Sequence, residues 1–259
     1  MPNGYVFNNR SQLVSALSEW LDDEVGGAYF EALETYGHIS NWDVSQITDF
    51  SYLFHDRLGA YGGSSFNQDI SSWDVSNGVD FSFMFYNAEL FNRNIGSWDV
   101  SSGENFSGMF RGASAFNQDL SSWNVANANN FSQMFLSAVS FNRNLNSWDV
   151  SNGNDFGYMF FSASNFNGIL GSWDVSSGTN FKSMFDQANL FNRNIGSWDV
   201  SNGTNFYGMF SNASSFNRDI SRWDVSSGTN FGNMFAGNSI FNQNIFLWEI
   251  NENANLREM

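Results

Sequence analysis

Cysteine is absent from the 259 residues, which excludes disulfides and thiolate metal sites and leaves the redox compartment unmarked. Basic residues are scarce: 10 against 26 acidic, for a net charge of -16. That balance excludes nucleic acid as an expected partner, because phosphate binding needs a basic surface. It equally disfavours direct contact with anionic membranes. No apolar run approaches the roughly 18 residues of a membrane span, and the start, MPNGYVF, has no signal-peptide core. Proline occurs once, but phenylalanine occurs 29 times and tryptophan 10 times, and that aromatic content rules out a disordered low-complexity chain.

What is present is repetition. Phe66 opens a stretch, FNQDISSWDVSNGVDFSFMFYNAEL, that returns every 25 residues at Phe91, Phe116, Phe141, Phe166, Phe191 and Phe216, with a shortened copy at Phe241. A fixed period of this length signals stacked units that bury their apolar faces against one another. A divergent copy precedes them: Ile39 to Phe54 aligns with Ile70 to Phe85 without a gap. Its connection, HDRLGAYGGSS, is six residues longer than in later copies, and its glycines and Tyr61 mark it as a candidate contact loop. The sequence divides into a helical N-terminal cap over 1–35, about nine coils over 36–250, and a tail or C-terminal cap over 251–259. In the first segment Ser11 is the expected N-cap of a helix whose apolar face is Leu13, Val14, Leu17, Trp20 and Leu21, with a shorter helix over 28–36.

Within each copy the apolar positions form columns, for example Ile70, Trp73 and Val75 and their equivalents. Trp73 and Val75 lie two apart, so in a strand they share a face and Asp74 points away. Phe81, Met84, Phe85 and Ala88 fall at i, i+3, i+4 and i+7, one face of a short helix, behind an Asp or Asn of N-cap type. The expected fold is therefore an α/β solenoid, each coil one short parallel strand plus a short helix. Asn92 and its equivalents follow the opening phenylalanine in every copy and are expected to form a buried column that satisfies loop backbone groups coil after coil.

The spacing I-x-x-W-x-V resembles the L-x-x-L-x-L core of leucine-rich repeats. Met84 to Phe91, M-F-x-x-A-x-x-F, resembles a segment of BspA-like leucine-rich-repeat surface proteins, and the whole unit is similar to the mycoplasma-lipoprotein-type repeat of that group. The resemblance covers about residues 36 to 250 and departs from the pattern where Ala88 and its equivalents replace a common cysteine. It implies a secreted or surface-exposed, non-enzymatic module, in some members one of adhesion, with no catalytic residues to transfer.

The outward residues of the expected strands, Asp74, Asp99, Asp149, Asp174, Asp199 and Asp224, with Asn124 in the same row, form the candidate binding surface, together with Tyr61. Such carboxylates either accept local hydrogen bonds or face a ligand; calcium ranks below both, since a flat row offers too few of the six to eight oxygens it needs. Arg93 and Arg143 lie one coil from Asp69 and Asp119, so ion pairs between coils are expected, worth at most about 1 kcal/mol each. His38 and His55 belong to no repeating constellation, and no cofactor, metal site or catalytic group is expected. The expected function is a surface or secreted binding module for a protein or glycan. The alternatives are a structural spacer in a larger surface protein and, less well supported, an ice-binding array, for which threonine is in register only at Thr179, Thr204 and Thr229. Positions 82, 83, 86, 87, 89 and 90 vary most between copies and form the other candidate surface.

Overall fold

A computed structural model describes residues 4–21, 27–55 and 65–259. The chain opens with α1 (Arg10–Trp20) and α2 (Gly27–Tyr36), followed by a 3-10 turn, Ile39–Asn41. The N-cap of α1 is Asn9, whose side chain accepts the Gln12 N–H; Ser11 lies inside the helix. Leu13, Ala16, Leu17 and Trp20 are its buried face. That face meets the first two coils: the Trp20 ring lies 5.7 Å from Trp42, and its Nε1–H donates to Gln68 Oε1 at 2.9 Å.

From there the chain is a stack of 25-residue coils, numbered here from coil 1 (36–65), coil 2 (66–90) and coil 3 (91–115) to coil 8 (216–240) and coil 9 (241–259). The expected α/β solenoid of leucine-rich-repeat-like coils is overturned. Among the described residues there is no strand and no sheet, and no coil after the first contains a helix. Successive coils touch through single parallel bridges at one column, Asp49, Asp80, Asn105, Asn130, Asp155, Asn180, Asn205, Asn230 and Asn255.

The second half of each coil shows why a helix is replaced. Phe81, Phe83, Phe85 and Asn87 donate their backbone N–H groups to Asn105, Ser107, Met109 and Arg111 of the next coil, at 2.7–2.9 Å. The intervening N–H groups close four-residue turns within the coil: Met84 to Phe81 O, Tyr86 to Phe83 O, Ala88 to Phe85 O. The turn over 81–84 needs a left-handed third residue, as in type II turns, and Phe83 has φ 54°. The same column is left-handed at Gly108, Gln133, Tyr158, Ser183, Gly208 and Asn233; four residues on, so are Asn87, Gly112, Ser137, Ser162, Gln187, Asn212 and Gly237. A helix cannot hold such residues. The apolar side chains still fall on one face, because each turn advances the chain by three or four residues as a helical turn would.

The first half also lacks the expected strand. Trp73 N–H turns back to Ile70 O and Gly78 N–H to Val75 O, so two turns bracket W-D-V and leave no room for a ladder. The inward and outward alternation is as expected: Trp73 and Val75 are buried and Asp74 is exposed. Coils are joined here by side chains. Each tryptophan Nε1–H donates to a carbonyl of the preceding coil, Trp98 to Ile70 O, Trp123 to Ile95 O and so on to Trp248 and Ile220 O, at 2.8–3.2 Å.

The core is a set of continuous columns. Phe85, Phe110, Phe135, Phe160, Phe185, Phe210 and Phe235 stack at 5.5–5.8 Å, and a second column from Phe66 to Phe241 stands beside it, with ring pairs at about 4.0 Å, as in Phe135–Phe141. Large rings each remove 150–250 Å² from water, and parallel contact adds roughly 0.5–1.5 kcal/mol per pair. Burial in these columns drives the stack, and the hydrogen bonds fix its register.

Candidate functional site

The outward acidic row is built by its own local chemistry. Asp74, Asp99, Asp149, Asp174, Asp199 and Asp224 each accept, on Oδ1, the backbone N–H of the serine two residues on, at 3.0 Å. Asn124 does the same with Ala126. Such Asx turns hold the carboxylate in place without neutralising it. All six are exposed. The Ser101 hydroxyl and N–H hold the Asp99 carboxyl below the usual carboxylate range, and the matching serines do so for Asp149, Asp174 and Asp224. Those four carboxyls are thus ionised at neutral pH. Tyr61 lies outside the described residues. No group of three or more His, Asp or Glu side chains that could hold a metal occurs among the described residues.

The expected ion pairs between coils are absent, and this corrects the sequence reading. The ion pairs among the described residues are Arg10–Asp49 and Arg257–Glu258, at the two ends of the chain. Arg93, Arg143, Arg193 and Arg218 instead donate Nε–H to backbone carbonyls of the preceding coil, Asn67, Asn117, Asn167 and Asn192, at 2.6–2.9 Å. The carbonyl wins because it is fixed within one coil spacing, whereas Asp69 and Asp119 already accept the Ser71 and Ser121 N–H groups. Beside the arginines the asparagine column behaves as read: Asn67 Oδ1 accepts Asn92 N–H, Asn92 accepts Asn117, and the series runs to Asn242. Its members are half-buried or exposed, however, and not part of the core.

Of the variable positions, Ser82 is buried, Phe83, Tyr86 and Asn87 are half-buried on a turn-built face, and Glu89 and Leu90 are exposed. Tyr52 stacks on Phe83 at 4.9 Å, and Arg111 sits over Tyr86 at 5.3 Å. Lys182 lies between Tyr158 and Tyr207 at 5.3 and 5.6 Å. Large side chains lean over glycines of the next coil: a Cβ on Gly108 would meet the Phe83 ring at 2.3 Å, and one on Gly112 would meet Asn87 Oδ1 at 2.2 Å. The variation of this face therefore records fit between neighbouring coils as well as whatever it presents outward. Asp186 is the unusual carboxylate here. Burial pushes its pKa up, against bonds from Asn212, Ser211 and Ser183. No sequence signal distinguishes it from the exposed aspartates.

These features define a class: a repeat protein of turn-built coils, with a uniform acidic row on one side and a coil-specific face on another. The chain belongs to the family described as Mycoplasma protein of unknown function, DUF285, which matches residues 4–107, 59–171 and 162–259. No curated protein and no solved structure matches the chain.

Proposed function

We propose that the chain is a non-enzymatic binding module of a cell surface or secreted protein, of the adhesive kind found among BspA-like surface proteins, with a protein or glycan as partner. The observation that carries the reading is the row from Asp74 to Asp224. Its carboxylates are exposed, held by serine N–H groups and paired with no cation among the described residues. Like charges repeated at coil spacing repel one another, and a cationic or hydroxyl-rich partner relieves that repulsion. No helix among the described residues is long and apolar enough to cross a membrane.

The test is binding of the purified chain to an array of surface proteins and glycans, with calcium and with chelator. Beside it runs a variant with all six aspartates changed to Asn, a residue the row already tolerates at Asn124. A saturable hit lost in the folded variant supports the acidic row; a hit retained moves the site to the turn-built face. No hit with either protein favours a second reading, a structural spacer. The near-identity of the bonds joining each coil to the next supports that reading. An ice-binding array is less well supported: the Thr179, Thr204 and Thr229 hydroxyls donate to the carbonyls of Asn154, Thr179 and Thr204.

A further inference from the structure

An array this regular makes its own departures conspicuous, and one of them gathers positive charge on an acidic protein. The column holding Arg93 and Arg143 separates its arginines with a glutamine, Gln118, but Arg193 and Arg218 occupy successive coils. The Phe191 and Phe216 rings that open those coils are 5.9 Å apart, so the two arginines repeat at one coil spacing. Each commits Nε–H to a backbone carbonyl, Asn167 O at 2.7 Å and Asn192 O at 2.9 Å, which anchors the guanidinium at one nitrogen and leaves the Nη donors for a further partner.

The coil below them departs as well. Where coil 4 presents Gln118 and Asp119, coil 6 presents Gly168 and Ile169. The two clefts formed beside an arginine can be compared directly. Around Arg143 the cleft includes Asp119, whose carboxyl is held low chiefly by the Ser121 N–H and hydroxyl, with Arg143 as the cation that contributes. Around Arg193 and Arg218 a cleft of about 380 Å³ is lined by Ile169, Gly171, Asn194 and Ser197, with no carboxylate. Arg222 replaces the serine of its column one coil beyond Ser197. Asp219 accepts the Ser221 N–H and is lowered chiefly by that serine, with Arg222 as the cation that contributes.

Two guanidinium groups in a cleft whose lining holds no carboxylate offer free donors that an oxyanion satisfies. Ile169, 42% exposed, offers an apolar contact at the cleft, and Asn194 and Ser197 offer polar partners for hydroxyl groups. A sparse charge flanked by apolar and hydroxyl-binding surface matches a charged sugar better than a nucleic acid, which the overall charge of -16 repels. We propose that this cleft binds the sulfate or carboxylate group of an acidic glycan, seated on Arg193 and Arg218 with Ile169 under the sugar ring. The proposal rests on the reading of the chain as a binding module but not on the acidic row.

The test is calorimetric titration of the full chain with a heparin octasaccharide, a hyaluronan octasaccharide and a neutral dextran of similar length, at about 50 and about 200 mM salt. The variant is Arg193→Gln/Arg218→Gln, which the repeat itself accommodates: Gln118 Nε2 makes the same bond to Asn92 O, at 2.9 Å. Arg93→Gln/Arg143→Gln is the control. The expected result is salt-sensitive binding of at least one acidic octasaccharide, weakened roughly tenfold or more in the first variant and unchanged in the control. Heparin alone assigns the group as sulfate, and hyaluronan alone as carboxylate. The site is wrong if neither acidic sugar binds, if both variants bind alike, or if only a glutamate-rich peptide run beside them binds. Repeating the surface array with Arg193→Gln/Arg218→Gln separates the two failures: an array hit that this variant retains keeps the binding module while the anion site falls.

Discussion

The two halves of each coil solve the same stacking problem by different means. In the F-x-x-M-F half, backbone meets backbone: alternate N–H groups run to the next coil, and left-handed residues let the chain turn between them. In the W-D-V half, side chains meet backbone: the tryptophan N–H, the asparagine amide and the serine hydroxyl each reach a carbonyl of the preceding coil. The first arrangement tolerates almost any side chain that accepts its φ, and so its outer positions vary. The second depends on residue identity, and so its sequence scarcely changes. The uniform face and the variable face of this protein follow from which atoms do the bonding.

The largest expected effect comes from the column both halves share. Phe135 packs against Phe141 at 4.0 Å and Phe110 and Phe160 at 5.6 Å, and Phe135→Ala leaves a void in mid-stack. It is expected to cost about 3–5 kcal/mol by chemical denaturation. Next comes a change confined to the side-chain half. Trp148→Phe keeps most of the ring but removes one of the two bonds that Leu120 O accepts, the Nε1–H at 2.9 Å, and leaves the Trp123 N–H at 3.1 Å. A loss of about 0.5–1.5 kcal/mol is expected, and a change indistinguishable from zero would mean that this bond does not hold the coils together. In the backbone half, Gly112→Ala forces a Cβ at φ 72° onto Asn87 and is expected to destabilise by at least about 1 kcal/mol.

The smallest effect is electrostatic. The carboxyls of Asp99, Asp149, Asp174 and Asp224 titrate below their ordinary range when folded. Their contribution is therefore present above the ordinary carboxylate range, near pH 4, and is lost as pH falls through the lowered values. Thermal unfolding followed from pH 6 to about pH 2 is expected to show that decline, and the six-fold Asn variant to flatten it. An identical pH profile in the variant would remove these residues from the account.

Much of this was readable in advance, for a definite reason. Burial depends on periodicity, and the columns of Trp73, Val75, Phe81, Met84 and Phe85 are buried as their spacing requires. The asparagine ladder was readable too, since one residue type recurring without exception implies one repeated bond. The helix was misread because i, i+3, i+4, i+7 spacing serves a run of four-residue turns as well as it serves a helix. The distinguishing signal was present at Gly108, Gly112, Gly208, Asn212, Asn233 and Gly237, the residue types that tolerate a left-handed backbone. Phe83 and Tyr158 in the same columns concealed it. At the candidate site the acidic row was legible, but the behaviour of the arginines was not. Sequence shows which charges are neighbours, and it does not show that a backbone carbonyl lies nearer than the carboxylate.

The measurement that tests the account most directly is the stability of Ser137→Gly. Ser137 sits at φ 57° in the second left-handed column, aligned with Gly112 and Gly237. Glycine relieves that backbone, and a gain of up to about 1 kcal/mol in unfolding free energy is expected, read as a raised midpoint in denaturant. In a helix the same substitution removes a better helix former and destabilises by several tenths of a kcal/mol. A lowered midpoint would contradict the turn-built coil.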